Sequence, residues 1–324
     1  MKKRRIRIIL TDQWRILKRS VTHFGTNRPM ELAGTTAYFA VFSMAPIIII
    51  IISVFGYFTG NTTVKDKLFN ELNLLIGPES SQLLENAIDN YRIAENSGIG
   101  TLIGLVFFLV SATTLFNIMQ NSINYIWRVK VKGNLKVSVL MLVRDRLLSF
   151  GIILSMGFVL LVSMLVDASI SYLKDFISAN FSEQLIVFVR LANVVLSIGI
   201  IGSLFALIYH FLPDVKVKWS ASWYGALFTA VLFMLGRMII GLVIGTSKLG
   251  VVYGAASSFI IILTWVYYAS VIFYFGVELT RQFSFHYEHR NIPVKYAVPF
   301  EITLLKRNET KETTGKEELP SPDK

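Results

Sequence analysis

The sequence predicts an all-α fold, a polytopic membrane protein with six transmembrane helices and both termini cytoplasmic. Three observations carry that expectation. Hydrophobic residues make up 53% of the 324 positions and charged ones only 16%, far from the balance of a soluble domain of this length. Six segments are long and apolar enough to cross the roughly 30 Å of bilayer hydrocarbon, which takes about 20 helical residues. Lysine and arginine also concentrate in alternate connecting segments, as the positive-inside rule requires.

The six segments are Ala37–Phe58, Ile99–Met119, Leu147–Val166, Leu185–Leu212, Trp223–Gly245 and Tyr253–Val277. Each is expected to be a helix, because a spanning helix pairs its own backbone groups where water is absent. Nine basic residues precede the first segment, six lie between the second and third, two (Lys216, Lys218) follow the fourth and eight follow the sixth. The opposite connections hold three, one and one. These counts place both ends of the chain in the cytoplasm and the protein in the cytoplasmic membrane as a multi-pass component.

The chain divides into a basic cytoplasmic segment at 1–30, a membrane domain at 31–282 and a cytoplasmic tail at 283–324. In the first, Trp14, Leu17, Val21 and Phe24 recur at helical spacing with Arg15, Lys18 and Arg19 on the other side. That pattern suits a helix in the inner headgroup layer, acting as a topology anchor. The first 30 residues contain neither an apolar signal core nor a small-residue cleavage site, so they are expected to remain. Between the first two spans, residues 62–95 form two amphipathic helices around a Gly77-Pro78 break, an outer cap bearing six acidic residues. Beyond about residue 306 the tail is polar and without apolar period, which predicts disorder.

Composition excludes several chemistries. With no cysteine there is no disulfide, thiolate metal site or thiol nucleophile. Four scattered histidines include no metal-ligand pair inside a span, so no metal or cofactor is expected. The formal charge of +11 sits mainly beside hydrophobic segments, where it fits a membrane surface bearing anionic lipids rather than nucleic acid.

Within the spans the informative residue is Arg237. A guanidinium keeps its proton at cellular pH, so in a bilayer it has to be solvated, paired or bound to an anion. Its protein partners would be helix carbonyls or neutral side chains such as Asn193 and Asn117; the functional alternative is an anionic headgroup or substrate. Thr113, Asn117, Gln120, Asn121 and Asn124 give the cytoplasmic half of the second span a polar face, which serves either interhelical hydrogen bonding or a solvated path. Glu278 stands at the cytoplasmic rim of the sixth span, and no carboxylate lies deep in any span to neutralise Arg237. Gly241, Gly245 and Gly254 are candidates for close helix packing. Pro46 is a candidate kink in the first span.

Several stretches together resemble one family. In ELAGTTAYFAVFSMAPIIIIIISVFGYF, residues Ala37, Tyr38, Ser43 and Pro46 match the first span of the YihY/virulence factor BrkB family of bacterial inner-membrane proteins. SATTLFNIMQNSINYIWRV resembles its second span, with Asn124, Trp127 and Arg128 at the end. Pro213, Asp214, Gly225, Arg237, Tyr253, Gly254, Trp265, Tyr267, Gly276 and Glu278 fall at recognisable places in its final two spans. Where relatives often carry lysine in the fifth span, this chain has Arg237, which keeps the charge and changes the hydrogen-bond geometry. The resemblance implies a six-span protein linked to virulence and envelope integrity, some members being associated with lipid movement. It also brings an old ribonuclease BN label, which these residues do not support. Phosphodiester hydrolysis needs clustered carboxylates or positioned histidines, and the cytoplasmic segments offer isolated Asp145 and Asp214 beside His210.

The expected function is therefore not enzymatic. One reading is a transporter or lipid-handling protein whose interior cationic site, Arg237 beside the polar face of the second span, takes an anionic amphipathic substrate. The other is a structural or scaffolding membrane protein of the envelope, with a homo-oligomer or an envelope protein as partner.

Overall fold

The computed structural model describes residues 2–59, 61–94, 98–131, 183–246 and 256–288, short helical stretches between 151 and 162, and residues 292–294 and 296–301. The described helices are α1 (Lys2–Thr26), α2 (Pro29–Thr59), α3 (Asn61–Ile76), α4 (Pro78–Ala94), α5 (Gly98–Trp127), α6 (Glu183–Phe211), α7 (Trp219–Thr246) and α8 (Ser257–Glu288). Helices thus cover five of the six predicted segments, and most of the third lies outside the described residues. Three described helices are long and apolar enough to cross a membrane: α6, α7 and α8. Gly254 and the tail beyond about residue 306 also lie outside the described residues, as do the side chains of Asn193 and Pro46 and the surroundings of Gly241 and Gly245; α2 continues through Pro46.

α8 is the central post. It packs against α7, α2, α1 and α5, and near its N-terminus against α3 and α4. Small residues let these helices close. A Cβ on Gly225 of α7 would strike Thr280 and the Gly276 carbonyl, and one on Gly276 would strike Thr229 and the Tyr209 hydroxyl. Gly236 likewise abuts the Tyr268 ring. The Tyr209 hydroxyl uses that space to donate to the Phe273 carbonyl at 2.8 Å, tying α6 to α8.

At one end of α8 the predicted cap is present as a hairpin. Gly77 supplies the left-handed turn (φ 84°) between α3 and α4, and the Ser80 hydroxyl donates to the Ser258 carbonyl. Lys65 bridges the two cap helices through Glu85 at 2.9 Å and Asp89 at 3.1 Å. The acidic face is therefore partly neutralised from within.

At the other end the structure departs from an all-helical expectation. Two short strands, β1 (Val129–Val131) and β2 (Ala297–Pro299), pair antiparallel with Lys130 opposite Val298. The segment behind α8 also bonds to the α6–α7 connection, Lys216 N–H to the Ile292 carbonyl and Val294 N–H to the Asp214 carbonyl. Residues 292–294 and 296–300, read from sequence as tail, form a strap across this basic end. α1 lies along the same end of α8 with Ile16 and Ser20 buried, while Trp14 and Val21 of the expected interfacial stripe are exposed. The helix thus has two faces, one packed on α8 and one free to meet lipid.

Candidate functional site

Two buried carboxylates organise the basic end. Glu278 is 0% exposed. On the same helix, Gln282 donates to its Oε1 at 2.6 Å and Arg281 Nη1 donates at 3.2 Å, as i+4 and i+3 spacing allows. From the α1–α2 connection, Asn27 Nδ2 donates to Oε2 at 3.0 Å. Asn27 Oδ1 in turn accepts from Arg128 Nη2 at 2.7 Å. Three chain segments therefore meet around one charge, Arg128 through Asn27. With a further Arg281 contact at 3.4 Å, both carboxylate oxygens are engaged from two directions, which leaves little acceptor capacity for a ligand.

Backbone geometry holds this centre in place. Arg28 and Arg128 have left-handed backbones (φ 51° and 57°), a conformation costing a non-glycine residue about 1–2 kcal/mol. At Arg28 the turn brings Asn27 inward and lets Pro29 open α2, a position where a missing N–H costs nothing. At Arg128 it ends α5 and starts β1, and the Arg128 carbonyl accepts from the Phe300 N–H at 3.0 Å. Packing thus fixes both turns from outside the local sequence.

Asp214 is the second centre, 1% exposed in the α6–α7 connection. Asn124 Nδ2 donates to Oδ2 at 2.7 Å, Gln120 Nε2 approaches at 3.3 Å, and the Tyr296 hydroxyl donates to Oδ1 at 3.0 Å. The Asp214 N–H donates to Asn124 Oδ1 at 2.9 Å. Sequence reading took Asp214 as isolated. Folding makes it the point where α5, the α6–α7 connection and the strap join. The nearby His210 ring stacks on Trp219 at 4.1 Å.

The predicted candidates consequently separate. Gln120 belongs to the Asp214 centre, and Glu278 to the other. Asn117 is half-buried, while Asn121 is exposed and lines an open cavity of about 330 Å³ with Asn124, Tyr125, Lys130 and Phe300. Arg237 stands apart from all of them. It lies eighteen residues into α7, ~27 Å along the helix from the end that holds Asp214. The expected juxtaposition of Arg237 with Gln120 therefore does not occur.

Arg237 sits one turn from Phe233, which packs edge-on to Trp265 at 5.4 Å, and next to Gly236, which abuts Tyr268. Its other neighbours, Leu235, Met238 and Ile239, are exposed large hydrophobics. The side chain is half-buried at the border between the packed and open faces of α7. Among the described residues it has no hydrogen-bond or ion-pair partner. A charge so placed costs about 2.5–3.5 kcal/mol on insertion scales.

Asn27, Arg281, Gln282 and Tyr296 were not singled out from the sequence, and Asn124, Arg128 and Asp214 appeared only in the polar run or the family resemblance, with no partner assigned. A weak signal existed for Asn124 and Arg128, which extend the polar i+4 run from Gln120. None existed for Asn27, whose partner is 251 residues away.

Comparison with known proteins identifies the family. The profile described as Virulence factor BrkB matches residues 20–295. A UPF0761 membrane protein of Pseudoalteromonas translucida (strain TAC 125) is 28% identical over 283 residues, covering 87% of each chain. One from Haemophilus influenzae (strain 86-028NP) is 27% identical over 260 residues, covering 79% of this chain and 90% of the relative. No solved structure matches. Residues 20–295 include both carboxylate centres and Arg237, and by this match the chain belongs to the virulence factor BrkB family and is an integral membrane protein.

Proposed function

We propose that this protein handles an anionic amphipathic molecule, a lipid by its chemistry, at Arg237, either moving it across the bilayer or presenting it there. The reading places the chain in the bacterial cytoplasmic membrane with six spans, the basic end and both termini inside and the α3–α4 cap outside. One observation carries it. Arg237 is half-buried with no partner among the described residues, beside exposed apolar side chains that would meet acyl chains. A guanidinium there gains most from a phosphate or carboxylate, which it can grip with two parallel hydrogen bonds. An attached hydrocarbon chain would cover Leu235, Met238 and Ile239.

The test is movement of headgroup-labelled phosphatidylglycerol in vesicles containing equal amounts of folded protein. Arg237→Leu is expected to lower the protein-dependent rate about tenfold or more, the loss of one charge-assisted contact of roughly 1.5–3 kcal/mol. Arg237→Lys is expected to retain part of it. Equal, nonzero rates for parent and Arg237→Leu would remove Arg237 from the mechanism.

A scaffold is the second reading, favoured by the two closed carboxylate centres that join distant segments. It predicts no protein-dependent lipid movement and reproducible crosslinking to one envelope protein or a second copy.

A further inference from the structure

α1 carries a feature that neither carboxylate centre nor Arg237 uses. Arg15, Lys18, Arg19, Thr22 and His23 repeat at three- and four-residue spacing and bound a cavity of about 230 Å³. Lys18, Arg19 and His23 are exposed, and the only described acid near this face is Asp12, 3.9 Å from Arg15 and 3.8 Å from His286. Behind His23 stand two further guanidinium groups. Arg128 Nη1 and Arg281 Nε are both buried and have no hydrogen-bond partner among the described residues. Arg128 is otherwise held over the Tyr125 ring and Arg281 over Phe285.

The charges do not balance. Two half-buried arginines share one carboxylate, Glu278, whose oxygens are already occupied, and Arg19 adds a third cation near His23. Burial first, then Arg281, Arg19 and Arg128, hold the His23 imidazole below its ordinary value, so it stays neutral where another cation would add repulsion. Trp14 and Val21, exposed on the same helix, suit the membrane interface. At that depth lie the phosphates of lipid headgroups.

We propose that the basic face of α1 is a second anion site, which takes a phosphate group into the cavity bounded by Arg15, Lys18, Arg19, Thr22 and His23. The phosphate belongs either to an anionic lipid headgroup or to a free phosphate compound. The site is separate from Arg237 and stands or falls without it.

Native mass spectrometry of the full chain released from detergent tests this, with phosphatidylglycerol, phosphatidylcholine and inorganic phosphate as probes. In the Arg237→Leu background, which removes the site of the proposed function, the chain is expected to retain phosphatidylglycerol about fivefold or more over phosphatidylcholine, and adding Lys18→Gln and Arg19→Gln to abolish that preference. Both replaced side chains are exposed, so folding is preserved, and Arg19→Lys is expected to restore most of the retention. Displacement by millimolar inorganic phosphate assigns the site to free phosphate compounds, and retention despite it assigns the site to a lipid headgroup. No preference in the Arg237→Leu protein together with no phosphate adduct overturns the proposal. So does an undiminished preference when Lys18→Gln and Arg19→Gln are added to Arg237→Leu.

Discussion

Glu278 and Arg237 are both charged groups on the paired helices α7 and α8, and the fold treats them oppositely. Glu278 is wholly buried and met by donors from its own helix and from the α1–α2 connection. Arg237 is half-buried and has no described partner. The difference teaches where the chain has spent its polar groups. At the basic end the α1–α2 connection, the α6–α7 connection and the segment behind α8 each contribute a side chain or strap to a closed centre. Among the described residues, those named beside Arg237 are apolar or aromatic, and one charge is left for something outside the described chain.

Removing the closed charge should have the largest effect. Glu278→Ala leaves Arg281 and Arg128 buried without their anion, a loss expected at about 3–5 kcal/mol in unfolding of the detergent-solubilised protein. Gly276→Ala should come next, since the added methyl meets Thr229 and Tyr209; overpacking of this kind costs about 1–3 kcal/mol. Asn124→Ala takes two hydrogen bonds from Asp214 and should cost about 1–3 kcal/mol, with faster proteolysis of the strap as a second readout. Arg237→Leu should shift stability least, within about 0.5 kcal/mol, because no hydrogen bond or ion pair to the described residues is lost. If Arg237→Leu proved as damaging as Glu278→Ala, the contrast between the two sites would collapse.

The α3–α4 cap sharpens the contrast on a smaller scale. The hydrogen bond that Lys65 donates to Glu85, and with it the one to Asp89, raises the Lys65 ammonium above its ordinary value despite opposing desolvation. Protonated Lys65 therefore favours the folded cap. Its contribution is complete below the ordinary lysine value near 10.5 and is lost as pH rises through the higher folded value. Circular dichroism should show the cap loosening only in that alkaline range, by no more than about 1 kcal/mol. Lys65→Met should flatten the response.

Much of this was legible from residues alone. Apolar runs marked helices at five of six places because hydrophobic length is a local property, and Gly77-Pro78 marked the cap turn for the same reason. Family resemblance singled out Asp214, Gly225, Gly276 and Glu278 without stating what they touch. Their roles depend on distant segments: Asp214 on Asn124, 90 residues earlier, and Glu278 on Asn27, 251 residues earlier. The strap was hidden because its strands are three residues long and their pairing carries no periodic signal. Arg237 was legible as an anomaly, but its separation from Gln120 depended on where the polar end of α5 docks.

The most direct test is an experimental structure of the full chain in nanodiscs containing phosphatidylglycerol. The account predicts elongated density along Leu235, Met238 and Ile239, ending in a phosphate within hydrogen-bond reach of the Arg237 guanidinium. A dry Arg237 closed against helix carbonyls, with no lipid at that face, would contradict it.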